Sequence, residues 1–158
     1  MTERYQPPSE FLRAFVADEV TLEDSIFGEA NLQRLVELTC DNDTANRDWA
    51  TMLLSAEEID TPQVRQALLK AARDTDSVVR AEAMYGLAMR DRALALPLVL
   101  EELRGDSACM ALFEAAALVA DPALVPLLRE WTEPSDERFL DELAAEALAA
   151  CEAGISPS

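Results

Sequence analysis

Apolar side chains recur along this chain at intervals of three and four, the spacing that lines one face of an α-helix. The stripes come in blocks. Phe11, Leu12, Phe15 and Val16 follow Ser9, a favourable helix cap. Thr21 is a second cap candidate with Asp24 three residues on, and a short helical stretch is expected to end near Gly28. Leu32, Leu35, Val36 and Leu38 mark a helix over 30–40. Helices are then predicted over 44–56, 62–73, 77–89, 92–104, 107–120, 122–132 and 136–152. Thr61-Pro62 and Asp121-Pro122 open two of them, with proline at the first helical position, where its missing N–H costs nothing. Leu96-Pro97 reads as helix punctuation of the same sort. Asp76 caps the helix whose core stripe is Val79, Ala83, Met84 and Leu87; Leu68 and Val119 are core candidates of two others. Short connections make successive helices antiparallel neighbours.

The blocks also repeat, about every 32 residues, a period that marks stacked helix pairs. Asp76-Ser77-Val78-Val79-Arg80-Ala81-Glu82-Ala83 echoes Asp43-Thr44-Ala45-Asn46-Arg47-Asp48-Trp49-Ala50. The pair Glu82-Ala83 returns at Glu114-Ala115 and at Glu146-Ala147. The spacing Asp76-x-x-Val79-Arg80-x-x-Ala83-x-x-x-Leu87-Ala88 resembles the short HEAT-like repeats of the phycobilisome-lyase type. Asp43-x-x-Asn46-Arg47-x-x-Ala50, Asp91 with Ala95-Leu96-Pro97, and Asp121 with Ala123-Leu124-Val125-Pro126 resemble them too. The resemblance implies an all-α, right-handed α–α superhelix, a HEAT-like solenoid of about four helix pairs. Residues 30–152 carry it, residues 1–29 are expected to form an N-terminal helical cap, and 153–158 a short tail. It also implies that Arg47 and Arg80 are structural and bond an aspartate of a neighbouring turn, with Asp43 and Asp76 as local candidates. The arginine position passes to Leu112 and about Ala144 in the last two repeats, a departure from the pattern.

Composition narrows the function. Half of the 158 residues are apolar, enough for a continuous core, and no apolar stretch nears the length of a membrane span. Met1–Pro8 has neither the basic start nor the apolar core of a signal peptide, so a cytoplasmic protein is expected. The chain has no histidine, which removes histidine-based metal sites and the Ser-His-Asp and Cys-His catalytic arrangements. Four scattered glycines cannot build a phosphate-cradling loop. Cys40, Cys109 and Cys151 are expected to be buried small apolar residues, with no metal and no cofactor. The net charge of −18 disfavours nucleic acid and acidic membrane surfaces as partners and favours a basic protein. It is uneven: residues 1–60 hold 14 acidic and 4 basic side chains, 61–129 hold 9 and 8, and 130–158 hold 8 and 1.

In such stacks the second helix of each pair lines the concave surface. With Val79, Ala83 and Leu87 turned inward, Ala81, Glu82 and Tyr85 are expected to point outward. Shifting by one repeat either way gives a ladder of acids with large apolar side chains: Asp48, Trp49, Met52, Glu82, Tyr85, Phe113, Glu114 and Glu146. Aromatic anchors among polar groups are the usual composition of a binding hot spot. The chain is therefore expected to be a non-catalytic protein-binding module for a basic protein partner, one form being an inhibitor or immunity-type protein. A scaffold or adaptor in a regulatory complex is the alternative. A lyase-type enzyme subunit, which the resemblance also implies, would need a pigment pocket that nothing here marks. The paired carboxylates Glu57-Glu58, Glu101-Glu102 and Asp141-Glu142 diverge by roughly 100° on a helix and form no cleft dyad. DNA-base-removing enzymes with HEAT-like repeats need a basic concave face, the opposite of this one.

Overall fold

Aspartate, serine and threonine side chains start most of the helices by accepting the N–H groups that a first turn leaves free. In the computed structural model, which describes residues 5–157, nine α-helices follow one another and no described residue is in a strand. They are α1 (Glu10–Val16), α2 (Ile26–Leu38), α3 (Thr44–Ala56), α4 (Pro62–Ala71), α5 (Ser77–Arg90), α6 (Arg92–Leu103), α7 (Met110–Val119), α8 (Val125–Trp131) and α9 (Arg138–Ala153). A 3-10 turn, Pro122–Leu124, leads into α8. Ser9, Thr61, Asp76 and Asp121 each cap the element expected of them. Asp43 and Asp91 cap α3 and α6 in the same way.

The helices form an α–α superhelix of two layers. In one, α3, α5, α7 and α9 pack side by side; in the other, α2, α4 and α8 each pack mainly on one inner helix and α6 packs on both α5 and α7. Neighbours in the first layer touch extensively and those in the second hardly at all. The closely packed layer therefore lies on the inside of the curve. Small side chains permit it: Ala50, Ala83, Ala115, Ala116, Ala144 and Ala147 are buried along this row. Val79, Leu87, Leu68 and Ala83 are fully buried, and Val119 nearly so, as the periodicity requires. The approach is close at Gly86, where a Cβ would overlap the side chain of Ser55 on α3. The Ser55 hydroxyl donates to the Glu82 carbonyl at 2.8 Å.

Arginines tie the repeats together. Arg47 donates to both Asp74 carboxylate oxygens at 2.9 and 3.2 Å and to the Asp41 carbonyl at 3.1 Å. Arg80 donates to Glu102 at 2.9 and 2.8 Å and to the carbonyls of Asp74 and Thr75. Each joins the turn of its own repeat to an acid of the next. The expected local partners, Asp43 and Asp76, are occupied as caps instead. Arg90, which the pattern does not mark, donates to the carbonyls of Leu54, Ser55, Glu57 and Ile59 and so seals the end of α3. Both Leu112 and Ala144, at the arginine position of the later repeats, are core residues.

Several expectations are corrected. No helix ends near Gly28; α2 begins at Ile26 under the Ser25 cap, and the buried Gly28 lets the Glu23 carbonyl pass where a Cβ would stand. Thr21 closes a local turn by accepting from the Glu23 N–H and caps no helix. Leu96-Pro97 does not punctuate: Pro97 lies inside α6, exposed, one turn from its start. Of the cysteines only Cys151 is buried; Cys109 is partly buried and Cys40 exposed, because it follows the end of α2. Ala81 is buried, not outward. Met1–Arg4 of the N-terminal run and Ser158 of the tail lie outside the described residues.

Gly86→Ala gains about 1 kcal/mol of helix propensity yet should lose about 1–3 kcal/mol net, because Ser55 is held by its own hydrogen bond. Leu87→Ala should cost about 2–5 kcal/mol. Denaturant unfolding measures both. A Gly86→Ala protein more stable than the parent would mean the α3–α5 seam is looser than described.

Candidate partner-binding surface

The inner row carries its acids on one line. Asp48 on α3, Glu82 on α5 and Glu114 on α7 come from three successive helices of the inner layer, and Glu82 feels both of the others. Burial, with the negative charges of Asp48 and Glu114 added, pushes its carboxyl up to about 7. Burial also raises Glu114. Asp48 is raised by burial, which outweighs the hydrogen bond from Tyr5. Among the described residues no arginine or lysine forms a salt bridge with any of the three. Nor do three or more acids or cysteines converge closely enough there to hold a metal ion. The arrangement is a row of like charges, partly desolvated, whose repulsion a cationic partner would relieve.

Residues before α1 form the head of this row. The Tyr5 ring stacks on Trp49, centroids 5.7 Å apart and planes 22° from parallel. Its hydroxyl donates to Asp48 at 3.1 Å. Burial and the Asp48 charge raise the Tyr5 phenol to about 12. Two contacts anchor the segment: the Ser9 N–H donates to Asn46 Oδ1 at 2.9 Å, and Arg13 donates to the carbonyls of Pro7 and Pro8. Trp49 is thus partly buried beneath Tyr5, and its Nε1 has no acceptor among the described residues.

The structure brings together Asp48, Trp49, Glu82 and Glu114. Met52 and Tyr85 are half-buried one repeat apart on α3 and α5. Phe113 is not a surface anchor. It is 2% exposed and packs edge-to-face against Trp131 of α8, centroids 6.1 Å apart. Glu146 is exposed on α9, and among the described residues no salt bridge joins it to the row. Sequence reasoning missed Tyr5, which lies just before Pro7-Pro8 and outside the repeat, so no periodic signal places it on Trp49.

No protein-family model matches the chain. Over 100 residues, 63% of this chain, it is 27% identical to the protein YibA of Escherichia coli strain K12, and the match spans 36% of YibA. YibA of Escherichia coli O157:H7 matches with the same figures. The chain thus spans little more than a third of the curated relatives it matches. The X-ray structure of Escherichia coli YibA superposes with a TM-score of 0.62 at 20% identity, covering 90% of this chain and 54% of that one. At this identity the likeness carries the fold alone.

A raised carboxyl favours the folded state while protonated. The contribution of Glu82 is present below its ordinary value of 4.5 and is lost as pH climbs from there towards 7. Glu82→Gln should therefore be more stable than the parent at pH 8, by at most about 3 kcal/mol, with the gap closing near pH 4. Thermal unfolding of both proteins across this range tests it; a gap independent of pH would show that Glu82 is charged at little cost.

Proposed function

We propose that the chain is a non-catalytic, cytoplasmic protein-binding module of HEAT-like type, and that the row Asp48, Glu82 and Glu114 engages a basic protein partner. The observation that carries this reading is the position of three uncompensated carboxyls on three successive inner helices. An enzyme gathers its acids around one point; here they follow the repeat, as a surface for an extended partner does. Trp49, Met52 and Tyr85 supply apolar contact beside the charges. In its finer form the protein is an immunity-type inhibitor that neutralises a basic enzyme by imitating its polyanionic substrate. The charge of −18 and a surface with few cations support that form.

The test is association kinetics with a lysine- and arginine-rich peptide as probe. Association should slow steeply with added salt, since exposed charges are screened beyond about 8–10 Å at physiological ionic strength. Glu82→Gln with Glu114→Gln should lower the on-rate several-fold and leave the helical content intact. The matched control is Glu29→Gln with Glu101→Gln, on α2 and α6 of the other layer. Glu102 is unsuitable as a control because it holds Arg80. Equal slowing by both pairs would reduce the effect to net charge and remove the special role of the inner row.

A further inference from the structure

A second concavity lies away from the inner row, where the loop before α7 meets α8 and the segment leading into α9. Its volume is about 360 Å³. Phe113, Trp131 and Leu140 form an apolar floor. The indole is fixed from two sides: Phe113 meets it edge-to-face, and its Nε1–H donates to the Leu103 carbonyl at 3.1 Å. Its polar atom is thus satisfied within the protein, and the π-surface is what it can offer a ligand.

The rim is acidic. Asp106, Glu130, Glu133, Glu137 and Asp141 line the cavity, and no arginine or lysine does. Asp141 is held in place by the Ser135 N–H and hydroxyl, at 2.9 and 2.7 Å, which also keep its carboxyl below the usual range. Arg129 and Arg138 each adjoin a lining glutamate in sequence; Arg129 pairs with Glu152, and neither arginine lines the cavity. An indole floor under a wall of carboxylates complements a flat cation.

We propose that this cavity receives a single arginine side chain of a partner protein, its guanidinium against Trp131 and its N–H groups directed to the acidic rim. Arginine suits the site better than lysine. A guanidinium covers the ring with its face and donates in its own plane, whereas an ammonium is more strongly hydrated and has no face to stack. The inference rests on the reading that the partner is basic, but it concerns different residues from the inner row.

The chain holds one tryptophan at each place, Trp49 in the inner row and Trp131 here. Full-length Trp49→Phe protein therefore reports on Trp131 alone. Titration with acetyl-Gly-Arg-Gly-amide should change its fluorescence saturably. The lysine peptide should bind at least about threefold more weakly. Asp106→Asn, Glu130→Gln and Glu133→Gln together should weaken the arginine peptide about tenfold; all three side chains are exposed, so folding is spared. Glu82→Gln with Glu114→Gln should leave this binding unchanged. A failed inner-row experiment with this pattern intact would sink the proposed groove and spare the pocket. The absence of a saturable change, equal binding of the lysine peptide, or equal loss in the inner-row variant would overturn the arginine site.

Discussion

The contact between α3 and α5 sets the terms for the rest of the molecule. There the Ser55 hydroxyl reaches the Glu82 carbonyl, and Gly86 leaves the room that Ser55 fills. Helices that approach this closely cannot carry large side chains between them, and the row continues with alanine on α7 and α9. Close packing on one side and loose packing on the other bends the stack. The bend places residues of equivalent repeat position on one inner surface. Glu82 is near enough to Asp48 and Glu114 to feel both charges because the helices beneath them are packed so closely.

Arginine clamps make that geometry stiff. Arg47 and Arg80 each span two repeats with a bidentate pair to a carboxylate and further bonds to turn carbonyls. Both pairs are largely shielded from water, unlike the open Arg129–Glu152 pair. Arg90 donates to the Ser55 and Glu57 carbonyls at the end of α3. These three arginines, of 13 basic residues in the chain, face structure, so part of the scarce positive charge is spent inside the scaffold. The surface left for partners is correspondingly acidic.

Local signals made the architecture legible. Caps at Ser9, Thr61, Asp76 and Asp121, and the core stripe of α5, are written in a few adjacent residues, so helix positions could be read from them. What was not legible depends on contacts distant in the chain. Phe113 matches an outward position by repeat counting, but Trp131, eighteen places on, covers it. Gly28 looks like a helix end until the Glu23 carbonyl is seen beside it. Arg47 finds its acid one repeat away, since its nearer aspartate is already a cap. In the candidate site the acids of α3, α5 and α7 followed from the period. Tyr5 did not, because it precedes the repeats, and the fourth acid, Glu146, stands apart on α9.

The central claim is that the packed inner helices hold the Glu82 carboxyl in the field of Asp48 and Glu114. Carbon-detected NMR titration of the Glu82 carboxyl measures this without any partner. The account predicts a midpoint of about 7, falling when Asp48→Asn or Glu114→Gln removes a neighbouring charge. A midpoint near the ordinary 4.5, indifferent to both substitutions, would contradict it.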